Sequence, residues 1–136
     1  MTSGNDNRPL HTDQTGKPAA LGPFHYVANQ SAWQDCLREL RVAPRLAIDL
    51  EANSMFAYQE RACLIQVSTA DFDYIIDPTR RIDLAGLGEI IADPAIEKVF
   101  HAAEYDLILM RRDYGWQLNN LFDTMWAVRI LGYTKC

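Results

Sequence analysis

Residues 45–51, Arg-Leu-Ala-Ile-Asp-Leu-Glu, alternate between apolar and other side chains, and a period of two admits little besides a β-strand. Leu46, Ile48 and Leu50 share one face, while Ala47, Asp49 and Glu51 share the other. Positions two apart on a strand lie roughly 7 Å from one another, so the two carboxylates project side by side. The strand is otherwise apolar and is expected at the centre of a sheet, where carboxylates without a partner are costly to remove from water. A divalent cation is one such partner, because hard ions such as Mg²⁺ and Mn²⁺ take oxygen ligands. Asp-x-Glu alone has plainer explanations, a solvated strand end or a pair met by arginine, and the tripeptide does not choose between them.

Around that strand the chain reads as further strands and helices. A short strand over residues 24–28 precedes a helix opened by Ser31. Ser31 and Gln34 have capping-box spacing, Trp33, Leu37 and Leu40 recur at helical intervals, and Pro44 stops the run. Residues 62–69 form the next strand after 45–51, near enough for an antiparallel, hairpin-like step, and 73–76 form another before a turn at Asp77-Pro78. Leu84, Leu87, Ile90 and Ile91 make a helical stripe that ends at Asp93-Pro94. Residues 98–101 are a strand running into a helix over 102–114, and Asp123 caps one more helix carrying Met125, Val128, Ile130 and Leu131. This order, with no internal repeat, predicts an α/β domain whose helices pack on a mixed sheet.

At 136 residues the chain is about one domain long, enough for a single core. Residues 1–22 hold almost no large apolar side chains and are expected to form a flexible arm, leaving 23–136 as the folded domain. Nothing approaches the about 18 consecutive apolar residues of a membrane span, so no membrane partner is expected. A net charge of −5 argues against a broad basic surface for gripping phosphates, although a carboxylate cluster that loads cations would account for part of it. Cys36, Cys63 and Cys136 lack metal-ligand spacing, and the first two sit in apolar patterns as small core residues. The first residues lack the basic-then-apolar layout of a secretory leader, and a reducing, cytoplasmic compartment is expected.

Asp106 is the other acid of interest. Ala102, Ala103, Leu109 and Met110 surround it at helical spacing, which allows it to face inward, although a lone acid on such a stripe is commonly a boundary residue. Asp113, beside Arg111 and Arg112, reads as solvated charge. Taken alone, His101 reads as a hydrogen-bonded boundary histidine and Asp123-Thr124 as a helix cap. Tyr105, Tyr114, Trp116 and Trp126 read as core or rim aromatics rather than a base-stacking platform.

In their order and spacing these segments resemble the ribonuclease D family of 3′–5′ exonucleases. The resemblance runs through Ala-Ile-Asp-Leu-Glu-Ala at 47–52, Cys-Leu-Ile-Gln-Val at 63–67 and Ile-Asp-Pro at 76–78. It continues through Val-Phe-His-Ala-Ala-Glu-Tyr-Asp at 99–106, Phe-Asp-Thr at 122–124 and Leu-Gly-Tyr at 131–133. It implies a ribonuclease H-like fold and two divalent cations, Mg²⁺ or Mn²⁺, held by an Asp-Glu-Asp-Asp set. Asp49 would bridge both ions, Glu51 would hold the one that activates water, and Asp106 would bind the other. Ions roughly 4 Å apart stabilise the attacking and leaving oxygens of an in-line displacement. The implied product is a nucleoside 5′-monophosphate released from a 3′ end, with RNA favoured over DNA. Asn53, Ser54, Met55 and Phe56 would sit near the terminal nucleotide, and His101 would approach the same site.

The family's third acidic motif, with a fourth carboxylate and a tyrosine that positions or deprotonates water, belongs several dozen residues after Tyr133. The chain stops at Cys136, so the domain is expected to be incomplete at its C-terminal end and to have little activity alone. One sheet face would then be uncovered and could favour self-association. The alternative is a non-catalytic scaffold of exonuclease-like fold that binds nucleic acid or protein. Retention of Asp49, Glu51 and Asp106 speaks against that alternative, and the missing third acidic motif speaks for it.

Overall fold

The computed structural model describes residues 23–53 and 61–133. The expected arm over residues 1–22, together with Ser54, Met55 and Phe56, lies outside those described. Among the described residues the chain runs β1 (Phe24–Val27), α1 (Gln30–Val42), β2 (Arg45–Asn53), β3 (Arg61–Ser68), β4 (Asp73–Ile76), α2 (Ala85–Ala92), β5 (Glu97–Phe100), α3 (Glu104–Tyr114), β6 (Leu121–Asp123) and α4 (Thr124–Ile130). The strands form one sheet in the order β1-β4-β3-β2-β5-β6. β3 runs antiparallel to both β2 and β4, and the other three pairings are parallel. The sheet is therefore mixed and β2 is interior to it, as its apolar character requires.

The alternation of β2 is realised residue by residue. Leu46, Ile48 and Leu50 are buried, while Ala47, Asp49 and Glu51 are exposed. Ile48 pairs with Val67 and Leu50 with Ile65, which extends the inner face across β3, while Asp49 stands opposite Gln66 on the outer one. Trp33, Cys36, Leu37 and Leu40 of α1, Leu87, Ile90 and Ile91 of α2, and Leu109 and Met110 of α3 close over that inner face in one core. Gly86 lets α2 approach α1, since a Cβ there would lie 2.5 Å from Leu37 Cδ2. The outer face has no such cover. α4 buries none of its residues, and Phe24, Tyr26 and Phe122 remain exposed there.

That open face corrects one expectation. β2 is central, yet Asp49 and Glu51 are exposed, Asp49 on the wall of an open cavity. Alternation identifies which residues share a face without saying whether that face is covered. Three other differences concern α1, α3 and β6. Asn29, not Ser31, caps α1: its backbone is extended and its side chain accepts from the Ala32 amide at 2.9 Å. α3 begins at Glu104 rather than 102, because Ala102 has φ 56° and a helix cannot run through it. β6 was not anticipated: its three residues are defined by pairing with β5 and carry no periodicity of their own.

Lys98 is fully buried on the inner face of β5. Its Nζ donates to the carbonyls of Ile90 and Asp93, supplying the positive charge that the last turn of α2 lacks.

Candidate active site

Pairing between β2 and β5 ends at Ala47 and Val99, after which β5 turns away into α3. Leu50 therefore lies beyond its last β5 neighbour. The carboxylate of Asp106, in the first turn of α3, lies near enough to the Leu50 backbone for that amide to favour its charged form. This carries Asp106 to the stretch of β2 that bears Asp49 and Glu51. Only 6% of Asp106 is exposed, so it faces inward. Its carboxyl is pushed up to about 6, first by burial and next by the charge of Asp49. Glu51 and Asp123 add to the rise, and the Leu50 amide opposes it.

Glu51 stands at an irregularity. It faces Leu64 while Ala52 faces Ala62, leaving Cys63 as an extra residue on β3, and a bulge of this kind re-aims the side chains beside it. Asn53 closes β2 opposite Arg61 and is exposed. Among the described residues, no ion pair engages Asp49, Glu51 or Asp106, so an arginine partner does not account for them.

As the side chains stand, no three described His, Cys, Asp or Glu groups are gathered tightly enough to hold an ion. Like charges repel, and two of these three carboxylates have open solvent to turn into. The donor set itself fits a hard divalent cation: three carboxylates, one of them buried within reach of the others' charge.

His101 follows β5, with Nδ1 2.9 Å from Thr124 Oγ1. Thr124 commits its hydroxyl proton to the Phe100 carbonyl at 3.1 Å, so it accepts from His101 Nδ1–H. A neutral His101 then keeps Nε2 as an acceptor. Asp49, Gln66, His101 and Thr124 line one open cavity of about 500 Å³ on the outer face of the sheet. Gln66 is the residue here that periodicity does not single out. Its only signal is a polar side chain within an apolar run, on the face opposite Ile65 and Val67.

Asp123 caps α4, accepting from Met125 N at 2.9 Å and Trp126 N at 3.4 Å. It also accepts from Ala102 N at 3.1 Å and Ala103 N at 2.8 Å. The second correction concerns Asp113, whose side chain is 13% exposed rather than solvated. It accepts from the Ala62 amide at 3.0 Å and pairs with Arg112, tying the end of α3 to the start of β3. Tyr105 and Trp126 are rim residues, the latter under the Arg129 guanidinium at 5.2 Å, and Tyr114 stacks on Trp116 at 4.3 Å.

Asp49 and Glu51 thus lie toward the end of a central strand, and Asp106 lies on the helix after the next parallel strand, in an α/β domain with a mixed sheet. Residues 24–136 match the family model described as 3′-5′ exonuclease, and the chain belongs to that family. It is 38% identical over 130 residues to Protein RRP6-like 2 of Arabidopsis thaliana, covering 94% of this chain and 14% of that protein. Exosome complex component 10 of Homo sapiens is 35% identical over 119 residues, 87% of this chain and 13% of that one. The crystal structure of the catalytic core of RRP6 from Trypanosoma brucei superimposes with a TM-score of 0.76 at 32% identity, over 80% of this chain and 31% of that one. Escherichia coli RNase D, described as an exoribonuclease involved in structured RNA processing, shares the fold with a TM-score of 0.69 at 23% identity, over 85% of this chain and 35% of its own. The chain thus carries a 3′–5′ exonuclease domain and spans about one seventh of the length of those two relatives. None of the helices among the described residues is long and apolar enough to cross a membrane.

Proposed function

We propose that Asp49, Glu51 and Asp106 are the metal-binding carboxylates of an exoribonuclease that removes nucleoside 5′-monophosphates from RNA 3′ ends. The observation that carries this reading is the buried Asp106, which lies beside the Leu50 backbone and whose pKa is raised by burial and by the charges of Asp49 and Glu51. Two divalent cations, Mg²⁺ or Mn²⁺, would supply charge neutralisation at the phosphate and an activated water. Asp106 is set in place before any ion arrives, while Asp49 and Glu51 are free to turn toward it. His101, with Nε2 unprotonated, accepts from a terminal sugar hydroxyl, and Gln66 flanks the same cavity. RNA is favoured over DNA because the name of the human relative places it in the exosome, and a 2′-hydroxyl offers His101 one more donor.

Mn²⁺ titration of the chain, followed by electron paramagnetic resonance, tests the site. Binding should weaken at least about 10-fold in Asp49→Ala and in Asp106→Asn, since each loses a charged oxygen ligand. Equal affinity in wild type and variants would remove the metal reading and leave the scaffold. The exposed Phe24, Tyr26 and Phe122 make self-association through the open face a further part of the proposal, and light scattering of a strict monomer across concentration would reject it.

A further inference from the structure

β5 does not pass straight into α3. Ala102, between them, has φ 56°, the left-handed region that alanine enters at a cost, and this corner decides the direction in which α3 leaves the sheet. The first amides of a helix have no partner within it, and α3 has no side-chain cap of its own at Ala103. Asp123 serves the first of those amides, that of Ala103, from the end of β6. Its Oδ2 accepts from Ala103 N and its Oδ1 from Ala102 N, while Oδ1 also serves Met125 and Trp126 at the start of α4. One carboxylate therefore gathers the corner, the entry to α3 and the entry to α4. Beside it, Thr124 fastens the Phe100 carbonyl, the last one of β5. A helix cap for α4 needs only Oδ1; the oxygen spent on Ala103 serves α3.

We propose that Asp123 is a positioning residue of the site: by holding the left-handed corner it sets the first turn of α3, so that the Asp106 carboxylate meets the Leu50 amide beside Asp49 and Glu51. Asp123 is not itself a ligand, because both of its oxygens are committed to backbone amides. The inference rests on the metal-site reading above for its functional meaning and on the hydrogen bonds alone for its structural part.

Two substitutions separate this role from capping. Serine is a good helix cap, but one short hydroxyl cannot serve α4 and the corner together. Asparagine keeps an oxygen for the Oδ1 partners and sets an amino group against the Ala103 amide. The readouts are deuterium exchange of the Leu50 amide in metal-free protein, followed by NMR, and Mn²⁺ affinity. Asp123→Ser should speed Leu50 exchange and weaken Mn²⁺ binding, each about 10-fold, the scale of one lost hydrogen bond. Adding Ala102→Gly, which removes the left-handed penalty, should recover part of both. Wild-type Leu50 exchange and Mn²⁺ affinity in Asp123→Ser would overturn the inference, as would a loss that Ala102→Gly leaves untouched. Should Asp123→Ser fail to fold, Asp123→Asn decides in its place: Leu50 exchange faster than wild type supports the role, and wild-type exchange overturns it. If Asp49→Ala leaves Mn²⁺ affinity unchanged, the metal reading fails, while Leu50 exchange still reports on the corner.

Discussion

The carboxylate of Asp106 lies beside the backbone amide of Leu50, so the strand bearing Asp49 and Glu51 and the helix bearing Asp106 meet inside the site itself. They can meet because β5 leaves β2 after Val99, opening the flank of β2 to a side chain from the next helix. A carboxylate there is favoured by one amide but repelled by three acidic neighbours, Asp49, Glu51 and Asp123, and that conflict has measurable consequences.

Asp106 titrates at about 6 when folded, against an ordinary 3.8. The folded state binds the proton more tightly, so this group favours folding at pH below 3.8, and the contribution is lost as pH rises through about 6. In EDTA, Asp106→Asn should melt higher than wild type at pH 7.5, by about 3 °C, and converge with it near pH 4. Melting curves that differ equally at both pH values would contradict the assignment. Mn²⁺ should reverse the order at pH 7.5, stabilising wild type alone.

Asp77 shows the opposite sign at the other edge of the sheet. The Thr79 hydroxyl bonds to it most strongly, Tyr26 donates at 2.8 Å and Arg80 at 3.2 Å, and together they hold its carboxyl at about 2. A lowered folded pKa stabilises above 3.8 and is lost as pH falls through about 2. Asp77→Asn should therefore lower the melting temperature by about 3 °C at pH 7 and not at all at pH 1.5. A constant difference across that range would show that the loop geometry, rather than the charge, is what matters.

Much of this was legible in the chain. Leu46, Ile48 and Leu50 are apolar at a period of two, which set β2, its faces and the adjacency of Asp49 and Glu51. The helical stripe around Asp106 allowed it to face inward, which it does. Three things were hidden for physical reasons. The exposure of Asp49 depends on what covers the second face, which no local pattern encodes. β6 is a strand only because β5 lies beside it. Asp123 looks like a helix cap from its neighbours in sequence, and its hold on Ala102 and Ala103 becomes visible only when β6 is docked against β5.

Lys98 gives a further test of that tertiary logic. Alternation puts it inward with Phe100, where a lysine is unexpected, and two carbonyls at the end of α2 receive its ammonium. Lys98→Ala removes both the stem and the donors and should destabilise by about 3 kcal/mol, combining a cavity with two orphaned acceptors. Lys98→Met keeps the stem and should recover roughly half of that in urea denaturation. Equal losses for the two variants would mean that the hydrogen bonds, and not the packed stem, carry the whole effect.

The tautomer of His101 leads to the last expectation. Thr124 spends its hydroxyl proton on Phe100, so His101 donates through Nδ1 and offers Nε2 as an acceptor at the cavity that Asp49 also lines. His101→Ala should weaken binding of a nucleoside 5′-monophosphate, titrated with Mg²⁺ present, by about 10-fold, the value of one hydrogen bond to a sugar hydroxyl. Mn²⁺ affinity should stay within about two-fold of wild type, because the imidazole is not a ligand in this reading. His101→Gln can present a carbonyl oxygen near the Nε2 position and should recover part of the nucleotide affinity, while His101→Asn, which mimics only Nδ1, should not. Equal nucleotide affinity in wild type and His101→Ala would take the histidine out of the site. Loss of Mn²⁺ together with nucleotide would instead place it among the ligands.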